Sequence, residues 1–173
     1  IQMYAFSKRR CKPKNPPPEP SLGIKRVNSL KLLGITLQCN LSMEEHVNNV
    51  LTGCASNLYA LNMLRAHGLQ RVELAEIYRA KILSKIMYGS PAWWGYCSAD
   101  TCNRIDSFLK KGKKFGFYGN DADLFEPLCR AADDKLFDKI LKNPDHILHR
   151  FLPETKTTKY CLRPRKHGFI LPT

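Results

Sequence analysis

Residues 27–50, VNSLKLLGITLQCNLSMEEHVNNV, decide how the rest of the chain is arranged. Val27, Leu30, Leu32, Leu33, Ile35 and Leu37 form a short apolar, partly β-branched run, long enough for one strand. Gly34 interrupts it, and a glycine inside a strand marks a bulge or a close approach of another backbone. The following Ser42-Met-Glu-Glu45 has the composition of a capping box. The serine oxygen can accept from the third helical N–H, and Glu45 can reach back to the cap's own N–H. The stretch therefore predicts a strand, a turn and the start of a long helix.

Upstream, Ile1–Ser7 alternates well enough to be a strand, and it begins with neither an initiator Met nor a polar lead-in, as a piece cut from a longer chain would. Lys8–Leu22 holds five prolines among basic residues. Proline denies the backbone its donor and favours extended structure, so the segment reads as a stiff surface loop, with a PxxP ligand as the other possibility.

Downstream, apolar residues at three- and four-residue spacing predict a helix from about Met43 to Ala66, with Val47, Val50, Leu51, Cys54, Leu58, Leu61 and Leu64 on one face. Gly68 closes it. A second helix is predicted from about Arg71 to Tyr88, stopped by Gly89-Ser-Pro91. Trp93 and Trp94 follow, read as plugging the end of a bundle rather than as stacking bases. A third helix spans about Ser98 to Phe115, with Cys102, Ile105, Phe108 and Leu109 as its inner stripe. Lys110, Lys111, Lys113 and Lys114 crowd its last turns, where cations suit the helix dipole and could face phosphates. Two shorter helices, 124–132 and 135–143, are predicted next, and 152–173 reads as irregular. Asp133 and Asp134 imitate a paired metal-binding carboxylate. Their helical surroundings instead predict a helix-start cap.

The chain of 173 residues carries a net charge of +13, concentrated at its ends. Residues 1–31 hold eight Lys/Arg against one Glu, and 150–173 hold six against one, leaving a nearly neutral middle. That distribution suits polyanion-contacting edges, or two solvated tails. Seven cysteines, an odd count without a CxxC pair, argue against a disulfide framework and against zinc; Cys97 and Cys102 make no zinc knuckle. A reducing intracellular compartment is the simpler expectation. No run approaches the roughly 18 apolar residues of a membrane span. His146, His149 and His167 are scattered, and no nucleophile–base or phosphate-loop constellation suggests a small-molecule enzyme.

KLLGITL, NLSMEEHV, Cys54-Ala-Ser-Asn-Leu-Tyr-Ala-Leu, YRAKILSKIMYGSPAWWG at 78–95, HILHRFLPE and YCLRPRKHGFILP together resemble the reverse transcriptases of non-LTR (LINE-type, jockey-like) retrotransposons. The resemblance runs from about Val27 onward and covers the end of the palm and the thumb. It implies a mainly α fold, a thumb-like helical bundle preceded by a small antiparallel β-hairpin and followed by an irregular basic tail. The implied parts are a hairpin with its proline-rich loop (1–41), a three-helix bundle (42–118), short helices (119–151) and the tail (152–173). In that hairpin the Ile1–Ser7 strand would pair with the KLLG strand.

The resemblance also implies that the chain belongs to an RNA-directed DNA polymerase whose catalytic aspartates lie upstream of residue 1. The complete enzyme would use Mg²⁺, with no cofactor held by these residues and none of them catalytic. Leu33, Gly34 and Ile35 stand at the family's primer-grip position. Lys110, Lys111, Lys113 and Lys114, and Arg163, Arg165 and Lys166 in the tail, are the expected backbone contacts. The partners would be an RNA/DNA template–primer duplex and the missing palm and fingers, with neither a membrane nor a small-molecule substrate. An inactive retroelement relic and a helical protein-interaction module are the alternatives.

Overall fold

In the computed structural model the described residues are 2–3 and 25–154, with the backbone alone for 2–3 and 25–26. The apolar run at its start folds back on itself. After two short strands, β1 (Gln2–Met3) and β2 (Lys25–Arg26), come β3 (Ser29–Leu32) and β4 (Ile35–Gln38). β3 and β4 pair antiparallel with Leu32 opposite Ile35 and Ser29 opposite Gln38. Leu33 and Gly34 form the turn between them, with φ of 47° and 87°. Positive φ at both central residues is what a tight two-residue hairpin turn demands. The run is thus two strands rather than one, and Gly34 is a turn residue rather than a bulge. The hairpin ahead of the helices is present, but it is built wholly within 29–38. The described residues of the expected first strand pair in parallel with β2, not with the KLLG strand. The rest of that strand and the proline-rich loop lie outside the described residues.

The chain divides into two compact units, 1–132 and 133–173. In the first, α1 (Glu44–Ala66) is entered differently from the expected capping box. Leu41 turns the chain with φ 57°. Ser42 Oγ takes the Glu44 N–H at 3.4 Å, while Glu45 accepts from Gln38 Nε2 at 3.3 Å instead of reaching back to the cap. Burial of Ser42 and Met43 under the hairpin fixes that entry. At the other end Leu69 N–H reaches Leu64 O and Gly68 N–H reaches Arg65 O, the paired bonds of a Schellman stop.

The second predicted helix is one rod in three pieces: α2 (Arg71–Tyr78), a π turn (Arg79–Leu83) and α3 (Ser84–Met87). Its buried residues, Leu74, Tyr78, Ile82 and Ile86, are spaced by four throughout. On a regular α-helix each such step drifts by about 40°. One wide turn absorbs the drift and keeps Ile82 and Ile86 facing inward. A short α4 (Ser90–Trp93) and a 3₁₀ turn (Trp94–Tyr96) lead into α5 (Ala99–Lys114). Inner faces of α1, the rod and α5 meet in one core, closed by Trp93, Phe117 and Phe125.

Where two short helices are predicted, a single 18-residue helix, α6 (Phe125–Lys142), runs through both. Asp133 and Asp134 lie in its interior rather than at a helix start. Asp lowers helix propensity by about 0.7 kcal/mol relative to Ala, too little to break a helix free of glycine beyond Pro127. In the second unit α6 ends at Asn143, whose Oδ1 accepts from Asp145 N–H at 3.1 Å, and a 3₁₀ turn follows at His149–Phe151. Among the described residues no helix is long and apolar enough to cross a membrane.

Candidate nucleic-acid interface

The lysine-rich helix is positioned by its start and by its inner face. Ser98 Oγ accepts the Thr101 N–H at 3.2 Å, satisfying one orphan donor of α5. At about 100° per residue, Ile105, Phe108, Leu109 and Gly112 fall on one side, and all are buried. Gly112 is there because nothing larger fits: a Cβ would sit 2.7 Å from Tyr78 Cζ and 2.9 Å from Cε2. The missing side chain lets α5 close directly onto the Tyr78 ring. That ring stacks on Tyr118 at 5.5 Å, and burial pushes its hydroxyl well above the usual phenol range.

Lys110, Lys111 and Lys114 fall on the opposite side, within an arc of about 100°, and all three are exposed. None has a carboxylate partner among the described residues. Arg104 adjoins Lys111 on this face and donates to Asn48 Oδ1 of α1. Lys113 differs from its neighbours. It is half-buried, donates to the carbonyls of Asn120 (3.0 Å) and Ala122, and lies 5.7 Å from the Tyr118 ring centroid. It pins the loop after α5, so the expected four-lysine cluster presents three. Beyond the helix end, Arg65 Nη1 donates to Phe115 O at 3.1 Å with its guanidinium 5.3 Å from the Phe117 ring centroid. Arg71 faces Gly116. Cations from three elements thus gather at the negative end of α5.

The expected primer-grip residues lie at the hairpin tip. Leu33 is 82% exposed, Gly34 is exposed and Ile35 is half-buried. A Cβ on Gly34 would stand 3.4 Å from Tyr88 Cε1, and Ile35 Cδ1 comes within 3.1 Å of where a Cβ of Gly89 would be. The tip is therefore seated on the Tyr88–Gly89 corner, with Leu33 and Tyr88 facing outward. Arg163, Arg165 and Lys166 lie outside the described residues.

Trp93 plugs the bundle as its sequence context suggests. Its indole N–H donates to Tyr88 O at 2.9 Å, and its ring stacks on Phe125 at 5.7 Å, leaving no face for a base. The residue that sequence reasoning missed is His46. It is buried, its Nδ1 accepts the Thr36 N–H of β4 at 3.3 Å, and its ring meets Trp93 edge-on at 4.9 Å. Burial lowers its pKa below 6.5, which keeps Nδ1 free to accept. A single histidine thereby joins hairpin, α1 and the tryptophan plug. Compared with known family models, curated proteins and solved structures, the chain matches none.

Proposed function

We propose that this chain is the palm-end and thumb portion of a non-LTR retrotransposon RNA-directed DNA polymerase, holding a template–primer duplex by its backbone, with no bond-making of its own. The observation that carries this reading is the unpaired, exposed arc of Lys110, Lys111 and Lys114 on a helix locked from behind by Gly112 and Tyr78. Cations on a rigid rod suit phosphates, which fix register without reading sequence. The exposed hairpin tip and the motif resemblance add to it. In this reading the metal-holding carboxylates and Mg²⁺ belong to the upstream palm, and the protein works inside the cell.

The test is binding to an RNA–DNA hybrid at several salt concentrations. Affinity falls steeply with salt, and Lys110→Gln/Lys111→Gln/Lys114→Gln lowers the log–log slope by about 2–3. Lys113→Gln leaves the slope unchanged. An unchanged slope in the triple variant removes the lysine arc from the interface, and no hybrid binding at low salt ends the reading. A second reading, a helical protein-interaction module, is favoured by the outer side of α1. There Tyr59 and Met63 are exposed among Ala55, Ser56, Ala60 and Ala66, with no charge between them. Salt-insensitive capture of a protein partner in place of hybrid would select it.

A further inference from the structure

Cys97 and Cys102 occupy a particular pair of positions. With Ser98 as the N-cap of α5, Cys97 is the residue before the cap and Cys102 the fourth residue of the helix. Those two positions face each other across a helix start, where apolar pairs commonly pack to fix the entry of the chain. Here the pair consists of two thiols, close enough for each to shift the other's pKa. Cys97 is held on one side by its N–H to Trp94 O (3.0 Å), and Cys102 on the other by its N–H to Ser98 O (3.0 Å). Both are half-buried and free. Among the described residues no group of three or more His, Cys, Asp or Glu is placed to hold a metal.

We propose that Cys97 and Cys102 are an oxidisable dithiol that closes to an intramolecular disulfide across the start of α5 when the protein meets a small disulfide oxidant such as oxidised glutathione. One thiolate attacks the oxidant's S–S bond, which breaks; the leaving sulfur takes up a proton as one molecule of glutathione. The second cysteine then attacks the protein sulfur of the mixed disulfide and expels the other glutathione. Two protein thiols lose two protons and two electrons, and the oxidant gains both. The surroundings set the pace. Burial pushes Cys97 up to about 12, and burial with Asp106 and Glu126 nearby raises Cys102, so few thiolates are present at neutral pH and the closure is slow. The bond would tie the turn behind Trp93 to the first turns of the lysine-bearing helix.

Peptide mapping of the full chain tests this directly. The protein is incubated with oxidised glutathione at pH 8, blocked with iodoacetamide and cut with trypsin, which leaves both cysteines on the 86–104 peptide. The expected product is that peptide, unalkylated and lighter by two hydrogens than its dithiol form, with Cys39, Cys54 and Cys129 mostly alkylated. Recovery of 86–104 with two alkyl groups, or with glutathione stably on either cysteine, while other cysteines are oxidised, would overturn the proposal. Cys97→Ser supplies a second readout: Cys102 should then stop at the glutathione adduct. If wild type accumulates that adduct to the same extent as the variant, the pair is a packing contact only.

Discussion

The two candidate contact surfaces are mounted in opposite ways. The lysine arc rides on a helix whose back has no side chain at Gly112, so that the helix lies against the Tyr78 ring. The hairpin tip is carried by a two-stranded ribbon tied to α1 through a polar bond to one buried imidazole, His46. The first mounting is pure close packing and depends on shape. The second needs one particular protonation state, because a protonated Nδ1 cannot accept from Thr36. Shape holds at any pH, whereas the imidazole bond fails in acid.

The most damaging change to the first mounting is Gly112→Ala. The new methyl meets a buried aromatic ring that has nowhere to go, and overpacking of this kind costs about 3 kcal/mol. The thermal midpoint should fall by about 10 °C; a shift within about 2 °C would mean that the helices separate freely. For the second mounting, acid is the lever. The folded pKa of His46 lies below its unfolded 6.5, so its contribution is complete above that value. It is lost as pH falls from 6.5 toward the folded pKa, at up to about 1.4 kcal/mol per unit. Urea midpoints between pH 7 and 5 would show it. His46→Gln, whose amide oxygen can still accept from Thr36, should flatten that slope relative to wild type, and equal slopes would place the titration elsewhere.

Two smaller changes sharpen the contrast by improving each mounting. The Tyr78 hydroxyl is buried with no hydrogen-bond partner among the described residues, so Tyr78→Phe should raise stability by about 1 kcal/mol in denaturant titration. A loss would reveal a hidden partner. Leu33 holds a left-handed conformation that Asn accepts more readily. Leu33→Asn should therefore gain about 0.5 kcal/mol without altering the helical circular dichroism, and a loss would assign the Leu33 side chain a contact it does not make in the free protein.

Most of the helical architecture is legible in the sequence because the apolar positions recur at helical spacing and the stops at Gly68 and Gly89 are strong. The hairpin is not, because Leu33 carries none of the chemistry that announces a tight turn. An apolar run with a single glycine in it is indistinguishable from one bulged strand when a leucine is forced to positive φ. The fused α6 is hidden by two aspartates that look like punctuation and prove to be interior residues. Of the candidate site, the lysines are visible as a run. What separates Lys113 from the others is the position of the Asn120 and Ala122 carbonyls, which only the folded loop supplies. His46 was hidden for a similar reason, since a polar letter in an amphipathic pattern gives no sign that its ring nitrogen will serve a strand ten residues earlier.

The π turn at Arg79–Leu83 has a consequence for how the chain can change length. A rod whose inward residues step four, four and four carries one residue more than a regular helix needs over that distance. Dropping Arg79, Ala80 or Lys81 from the wide turn would leave steps of four, three and four, close to the rhythm a plain α-helix keeps unaided. Both flanks would stay in place, with Tyr78 still under Gly112 and the Tyr88–Gly89 corner still beneath the hairpin. A deletion in α2 or α3 would have no such slack, and would swing everything after it around the axis by about 100°.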